Sequence, residues 1–173
     1  MNHVLSRARP ELAAMAFAVL LGLAPAAADE YEDAFPAPLP GWTAGAVEVQ
    51  SAEEDLMGMA MTRRRFVREY RTDDGAAGLA IALDSFDCMA AATIDTLHAD
   101  AEMQRQAAPQ MKPMRFGDHP GVETFDGAGV RDMVGLKVSD CGILSVGGPA
   151  PPDGVLDAYL RRIDFGRLKA LLR

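Results

Sequence analysis

Alternation of apolar and polar positions dominates the middle of the chain. Between Met57 and Thr72, Phe66 and Tyr70 share one parity, and Met57, Met59, Met61 and Val67 share the other. That period of two predicts a long strand. Leu79 to Phe86 repeats the pattern, with Leu79, Ile81 and Leu83 on one face and the small Ala80 and Ala82 on the other. Asp73-Asp74-Gly75 between them is a turn signal, so the two runs predict an antiparallel hairpin. The period then changes. Asp87 is placed to cap a helix running from about Cys88 to Gln106. Ala90, Ile94, Leu97 and Ala101 form its apolar stripe, and Pro109 and Pro113 bracket its exit.

Downstream, Met114 to Phe116 and Val122 to Phe125 predict short strands around a turn at Gly117–Gly121. Val130 to Val138 carries Val130, Val134, Leu136 and Val138 on one face. Asp140-Cys141-Gly142 turns it back into Ile143–Val146. Gly147 to Pro152 is an irregular connection. Asp153 is placed to cap a last helix bearing Leu156, Tyr159, Leu160 and Ile163, and Asp164 to start a short turn ending in Leu168, Leu171 and Leu172. Upstream, Ala46–Gln50 predicts a short edge strand and Ser51–Asp55 a turn. The sum is an α+β domain: an antiparallel sheet of about five or six strands with a central helix and a C-terminal helix packed on it.

The N-terminus follows a different logic. His3, Arg7 and Arg9 form a basic region, Leu12 to Leu23 is apolar but for Gly22, and Ala26-Ala27-Ala28 offers small residues for cleavage before Asp29. Residues 1–28 thus predict an export signal. The apolar run is short of the about 20 residues a membrane span needs, so no stable membrane anchor is expected after cleavage. Asp29 to Gly41, acidic with three prolines, predicts an extended linker. Residues 42–173 then form one domain, opening at Trp42, whose ring needs a hydrophobic site.

The stretch from Leu39 to Leu172 resembles small exported bacterial proteins of unknown function with a Mog1/PsbP-like fold. The resemblance rests on LPGW at Leu39–Trp42, the hairpin leading into the central helix, RFGDHPGVETF at Arg115–Phe125 and YLRRIDFGRL at Tyr159–Leu168. It implies an antiparallel sheet with helices packed on it. The better-known members act as binding or assembly factors, and the resemblance carries over no catalytic residues.

Charge narrows the function classes. Losing residues 1–28 removes Arg7, Arg9 and Glu11, turning 17 basic and 25 acidic residues into 15 and 24, a formal charge of −9. Such a chain lacks the positive field that nucleic-acid binding needs. Cys88 and Cys141 are the two cysteines. Export favours a disulfide between them; the alternative is two thiols, with Cys88 activated at a helix N-terminus.

Several clusters carry candidate chemistry. Met57, Met59 and Met61 place three thioethers on one strand face, a soft set suited to Cu(I), though methionine also fills core gaps. Arg63, Arg64, Arg65, Arg68 and Arg71 crowd one strand, but successive side chains face opposite ways, so the five cannot form one patch. Arg64 and Arg68, with Trp42, are the partner-docking candidates. His98 and Glu102 stand one helical turn apart, and two ligands alone make no metal site. Asp118 and His119 fall in a turn, where the aspartate is expected to bond local backbone. No nucleophile elbow, zinc-protease, phosphate-loop or dinucleotide motif is present. The expected function is therefore non-catalytic: an exported, periplasmic or secreted protein engaging a protein partner or small ligand. Copper handling through the methionine strand is one alternative, and a thiol or hydrolytic enzyme centred on Cys88 or His98 is another.

Overall fold

The computed structural model describes residues 31–56, 59–85, 88–106 and 110–172. The predicted signal segment, Met57 and the expected cap Asp87 lie outside them. The described chain forms one antiparallel sheet of seven strands: β1 (Trp42–Leu56), β2 (Met59–Thr72), β3 (Gly78–Ser85), β4 (Met111–Phe116), β5 (His119–Phe125), β6 (Arg131–Ser139) and β7 (Gly142–Gly147). Their order across the sheet is β1-β2-β3-β7-β6-β5-β4. The helices are α1 (Cys88–Ala99), α2 (Ala101–Gln106), α3 (Val155–Leu160) and α4 (Phe165–Ala170). The α+β class holds, but the sheet is wider than five or six strands.

Several elements also differ in length from those expected. Ser51–Asp55, expected as a turn, continues β1, because Ser51 to Leu56 pair with Arg64 to Met59. β3 pairs with β2 only over Arg65–Arg71, so this end of the β1–β2 hairpin runs on beyond β3 as a two-stranded arm. At the far edge the turn shrinks to Gly117-Asp118, and His119 to Gly121 join β5. The expected single helix divides at Asp100, whose Oδ1 accepts a hydrogen bond from the Met103 N–H and so caps α2. Asp153 does not cap α3. Gly154 does, at φ 75°, a left-handed conformation that glycine adopts without a Cβ clash. Asp164 caps α4, its Oδ1 accepting from the N–H groups of Gly166 and Arg167. A register shift between Thr124 and Phe125 leaves Val130 exposed, off the face it was expected to share with Val134.

Strand parity divides the sheet into two unlike faces. On one, Phe66, Leu83, Leu144 and Leu136 stand in a row across four strands, all fully buried. This closed face packs against Leu156, Tyr159 and Leu160 of α3 and Leu168 of α4. Each such side chain contributes roughly 1.5–3 kcal/mol by leaving water.

The acidic, proline-containing stretch before Trp42 is not an extended linker. Ala34, Phe35 and Pro36 are buried, and Ala34 and Phe35 belong to the main core. Two tyrosines fix it from below. The Tyr70 hydroxyl donates to the Pro36 carbonyl at 2.8 Å, and the Tyr159 hydroxyl accepts from the Leu39 N–H at 3.4 Å. The folded unit therefore begins upstream of residue 42.

On the opposite face α1 covers one end. Ala91 and Ile94 pack on Ile143, with Val122 beside them. Three further ties hold the helix down. Cys88 and Cys141 form a disulfide. Lys137 pairs with Asp95, and the His98 imidazole Nε2 lies 2.7 Å from the Gly121 carbonyl oxygen. The rest of this face is the open face.

Candidate ligand groove on the open face of the sheet

The floor of the groove follows from the register. Val67, Ala82, Ser145 and Gly135 form one row across β2, β3, β7 and β6, and Glu69, Ala80, Gly147 and Met133 form the next. Small side chains in the middle of both rows leave a depression of about 350 Å³, bounded by Arg65 at one end and by Asp132, Met133 and Pro149 along the side. It shares Ala80, Gly147, Gly148 and Pro149 with a second depression of about 420 Å³, which reaches Glu69 and Arg71. Gly147 is required by close approach: a Cβ there would stand 2.7 Å from the Asp132 carbonyl oxygen and 2.8 Å from Met133 Cβ.

Arg65 stands at the head of the groove. Register sets Arg65 directly opposite Asp84. Arg63 lies two residues back on the same face. Arg63 Nη2 lies 3.6 Å and Arg65 Nε 3.8 Å from Asp84 Oδ1. The aspartate side chain is 11% exposed, against 41% and 48% for the arginines. Oδ1 accepts no hydrogen bond among the described residues. A buried carboxylate is costly unless opposite charge lies close, and these two guanidinium groups supply it at ion-pair distance. On the other side of Arg65 a further depression of about 230 Å³ is lined by Gln50, Ser51, Ala52 and Arg63.

The expected docking residues lie elsewhere. Arg64 and Arg68 have the parity of Phe66 and Tyr70, the closed face. Arg68 is engaged in holding the N-terminal stretch: Nε donates to the Gly45 carbonyl at 3.0 Å and Nη1 to the Glu32 carbonyl at 3.3 Å, while Nη2 lies 3.7 Å from the Glu32 carboxylate. Arg64 is exposed, and its backbone N–H donates to Ser85 Oγ at 2.8 Å. Trp42 is half-buried, its ring edge-on to Tyr159 at 5.8 Å. The structure does not gather these three into one surface patch. The β2 arginine that lines the groove is Arg65; parity sets it apart from Arg64 and Arg68 but does not say which face stays open.

Other candidates are placed as follows. Met61 is half-buried on β2, while Met57 and the Met59 side chain lie outside the described part. Two other methionines, Met111 and Met133, are exposed and flank Thr124 in one cross-strand row. Cys88 is bonded to Cys141, so it is not a free thiol. The His119 ring lies 3.1 Å from the Lys137 carbonyl through Nδ1 and stacks on Phe165 at 4.1 Å, a packing role. Among the described residues no group of three or more His, Cys, Asp or Glu is arranged to hold a metal ion.

Comparisons with family models, curated proteins and solved structures give no match to this chain.

Proposed function

We propose that this is an exported, non-catalytic binding protein that carries a small organic ligand on the open face of its sheet. The observation that carries this reading is the contrast within single strands. β3 and β7 bury Ile81, Leu83, Leu144 and Val146 on one side and present Ala80, Ala82, Ser145 and Gly147 on the other. A face kept small, concave and partly solvent-facing, with polar groups at its margins, has the composition of a ligand site. A disulfide in the folded unit supports export to an oxidising compartment, periplasmic or extracellular. Among the described residues no helix is long and apolar enough to cross a membrane. The sheet with helices on both faces also supports the Mog1/PsbP-like reading of the fold.

The test is a thermal-shift screen of small organic acids, amides and alcohols on the wild type and on Ala80→Leu. Ala80 is half-buried at the groove floor, and leucine fills it. Compounds that raise Tm in the wild type and not in Ala80→Leu are the expected result, since a ligand that binds only the native state stabilises it. Hits unaffected by Ala80→Leu would place binding elsewhere.

A further inference from the structure

We infer that the outer edge of β1 is the interface of a two-fold dimer of this chain, in which β1 of one copy pairs antiparallel with β1 of the other and the two sheets join into one. β1 ends the strand order and pairs with β2 alone, from Trp42 to Leu56. Beyond β3 the β1–β2 hairpin continues as a two-stranded arm. On that arm Ser51, Ala52 and Glu53 of β1 and Thr62 and Arg64 of β2 are all exposed.

The two edges of the sheet are built differently. β4, at the other end, carries Pro113, which has no N–H to offer a further strand, with the cations Lys112 and Arg115 on either side. Those are devices that keep an edge from pairing. From Val47 to Leu56, β1 has no proline, lysine or arginine, and its register shift, between Ala44 and Val47, comes before this stretch. A long row of unpaired backbone N–H and C=O groups is a template for another strand.

Charge selects a second copy as that strand. The arm carries Glu53 on β1 and Arg64 on β2, but the hairpin does not set them against each other: Glu53 stands opposite Thr62, and Arg64 opposite Ser51. Two copies placed antiparallel about a two-fold axis at Ala52 bring Glu53 of each opposite Ser51 of the other, and Arg64 of that copy is the next residue across. At the spacing of strands, Glu53 and Arg64 then lie roughly 10 Å apart on one face. Only the short Ser51 side chain stands between them, so a glutamate and an arginine can meet. The axis itself sets alanine against alanine and makes the charge pair twice.

Sedimentation equilibrium of the full chain, expressed for export, over a concentration series tests this. The wild type is expected to dimerise reversibly, since an edge ladder is smaller than a standard interface. Glu53→Arg and Arg64→Glu each set like charges together at both pairs, and each is expected to weaken the dimer about tenfold or more while circular dichroism shows the fold kept. The double variant Glu53→Arg/Arg64→Glu is expected to dimerise again. An equal mixture of the two single variants is expected to form a heterodimer, because opposite charges then meet at both pairs. A monomeric wild type, or a dimer unmoved by both single variants, would overturn the assignment. If that monomer bound a polyarginine peptide, the edge would belong to a basic partner chain instead. Loss of the dimer in both single variants, with no recovery in the mixture or the double variant, would overturn the two-fold register.

Discussion

The two faces of the sheet are made by the same strands and answer to different demands. On the closed face Phe66, Tyr70, Leu136 and Leu144 are packed out of water beneath α3, α4 and the N-terminal stretch. On the open face α1 covers only the end around Ile143 and Val122, and Ala80, Ser145 and Thr124 remain partly exposed. The closed face carries its stability in large side chains that fit one another. The open face carries little and keeps its shape through the backbone, the disulfide and the Arg63–Asp84–Arg65 cluster. A surface that gives up packing in this way is available for something else, and that is the physical basis of the binding assignment.

The sharpest way to break the comparison is to truncate one side chain on each face. Tyr159 is fully buried, in ring contact with Tyr70 at 4.6 Å and Trp42 at 5.8 Å. Tyr159→Ala is expected to cost about 3–5 kcal/mol in denaturant unfolding, as large aromatic truncations in cores do. Ser145→Ala on the open face is expected to change stability by less than about 0.5 kcal/mol. Similar losses at both sites would mean that the faces are not energetically distinct.

Next in size is the disulfide. It joins residues 53 apart and ties the start of α1 to the β6–β7 turn. Replacing both cysteines with serine is expected to cost about 2–4 kcal/mol. Hydrogen exchange should show the added opening first in α1, whose remaining core contacts are few, while β3 and β7 stay protected. Uniform loss of protection would contradict the separation of α1 from the closed core.

Smaller again is the effect of tyrosine ionisation on the closed face. Burial pushes the Tyr70 phenol far above its ordinary value, against the pull of nearby Arg68, and burial raises Tyr159 as well. Folding therefore favours the neutral phenols. Their contribution is complete below the ordinary tyrosine value near pH 10 and is lost as pH rises from there towards the folded values. Stability should fall above about pH 10, and Tyr70→Phe should flatten that fall. At neutral pH the same variant should lose about 1 kcal/mol with the hydrogen bond to Pro36.

The smallest effect belongs to an exposed turn. The Thr72 hydroxyl and the Ala76 N–H hold the Asp74 carboxyl below its ordinary value. That contribution is present above about pH 4 and disappears as pH falls through the lower folded value. Asp74→Asn should remove this part of the acid-side pH dependence and leave the alkaline side untouched.

Much of the closed face was legible in the chain. The alternation of Leu79, Ile81 and Leu83, the spacing of Ile94 and Leu97, and the Asp73-Asp74-Gly75 turn are local signals, and local geometry follows them. What was not legible depends on partners distant in sequence. The stretch around Phe35 has the composition of a linker, and it folds because Tyr70 and Tyr159 supply hydrogen bonds and a core site for it. The arginine run showed that five cations could not share a face. It did not show that the odd pair meets Asp84, because that meeting depends on the β2–β3 register. Parity separates two faces but does not say which one the C-terminal helices will cover, so Arg68 could not be distinguished from Arg65 by sequence alone.

The account is tested most directly by mapping backbone amide shifts in an NMR titration of the full chain with a compound that raises Tm in the screen of small organic ligands. Shifts concentrated at Ala80, Ala82, Ser145 and Gly147, with Arg65 at their head and the amides of Tyr159 and Leu168 unmoved, are what a closed structural face and an open binding face predict. Shifts centred on Trp42 and Arg68, or spread evenly over both faces, would contradict it.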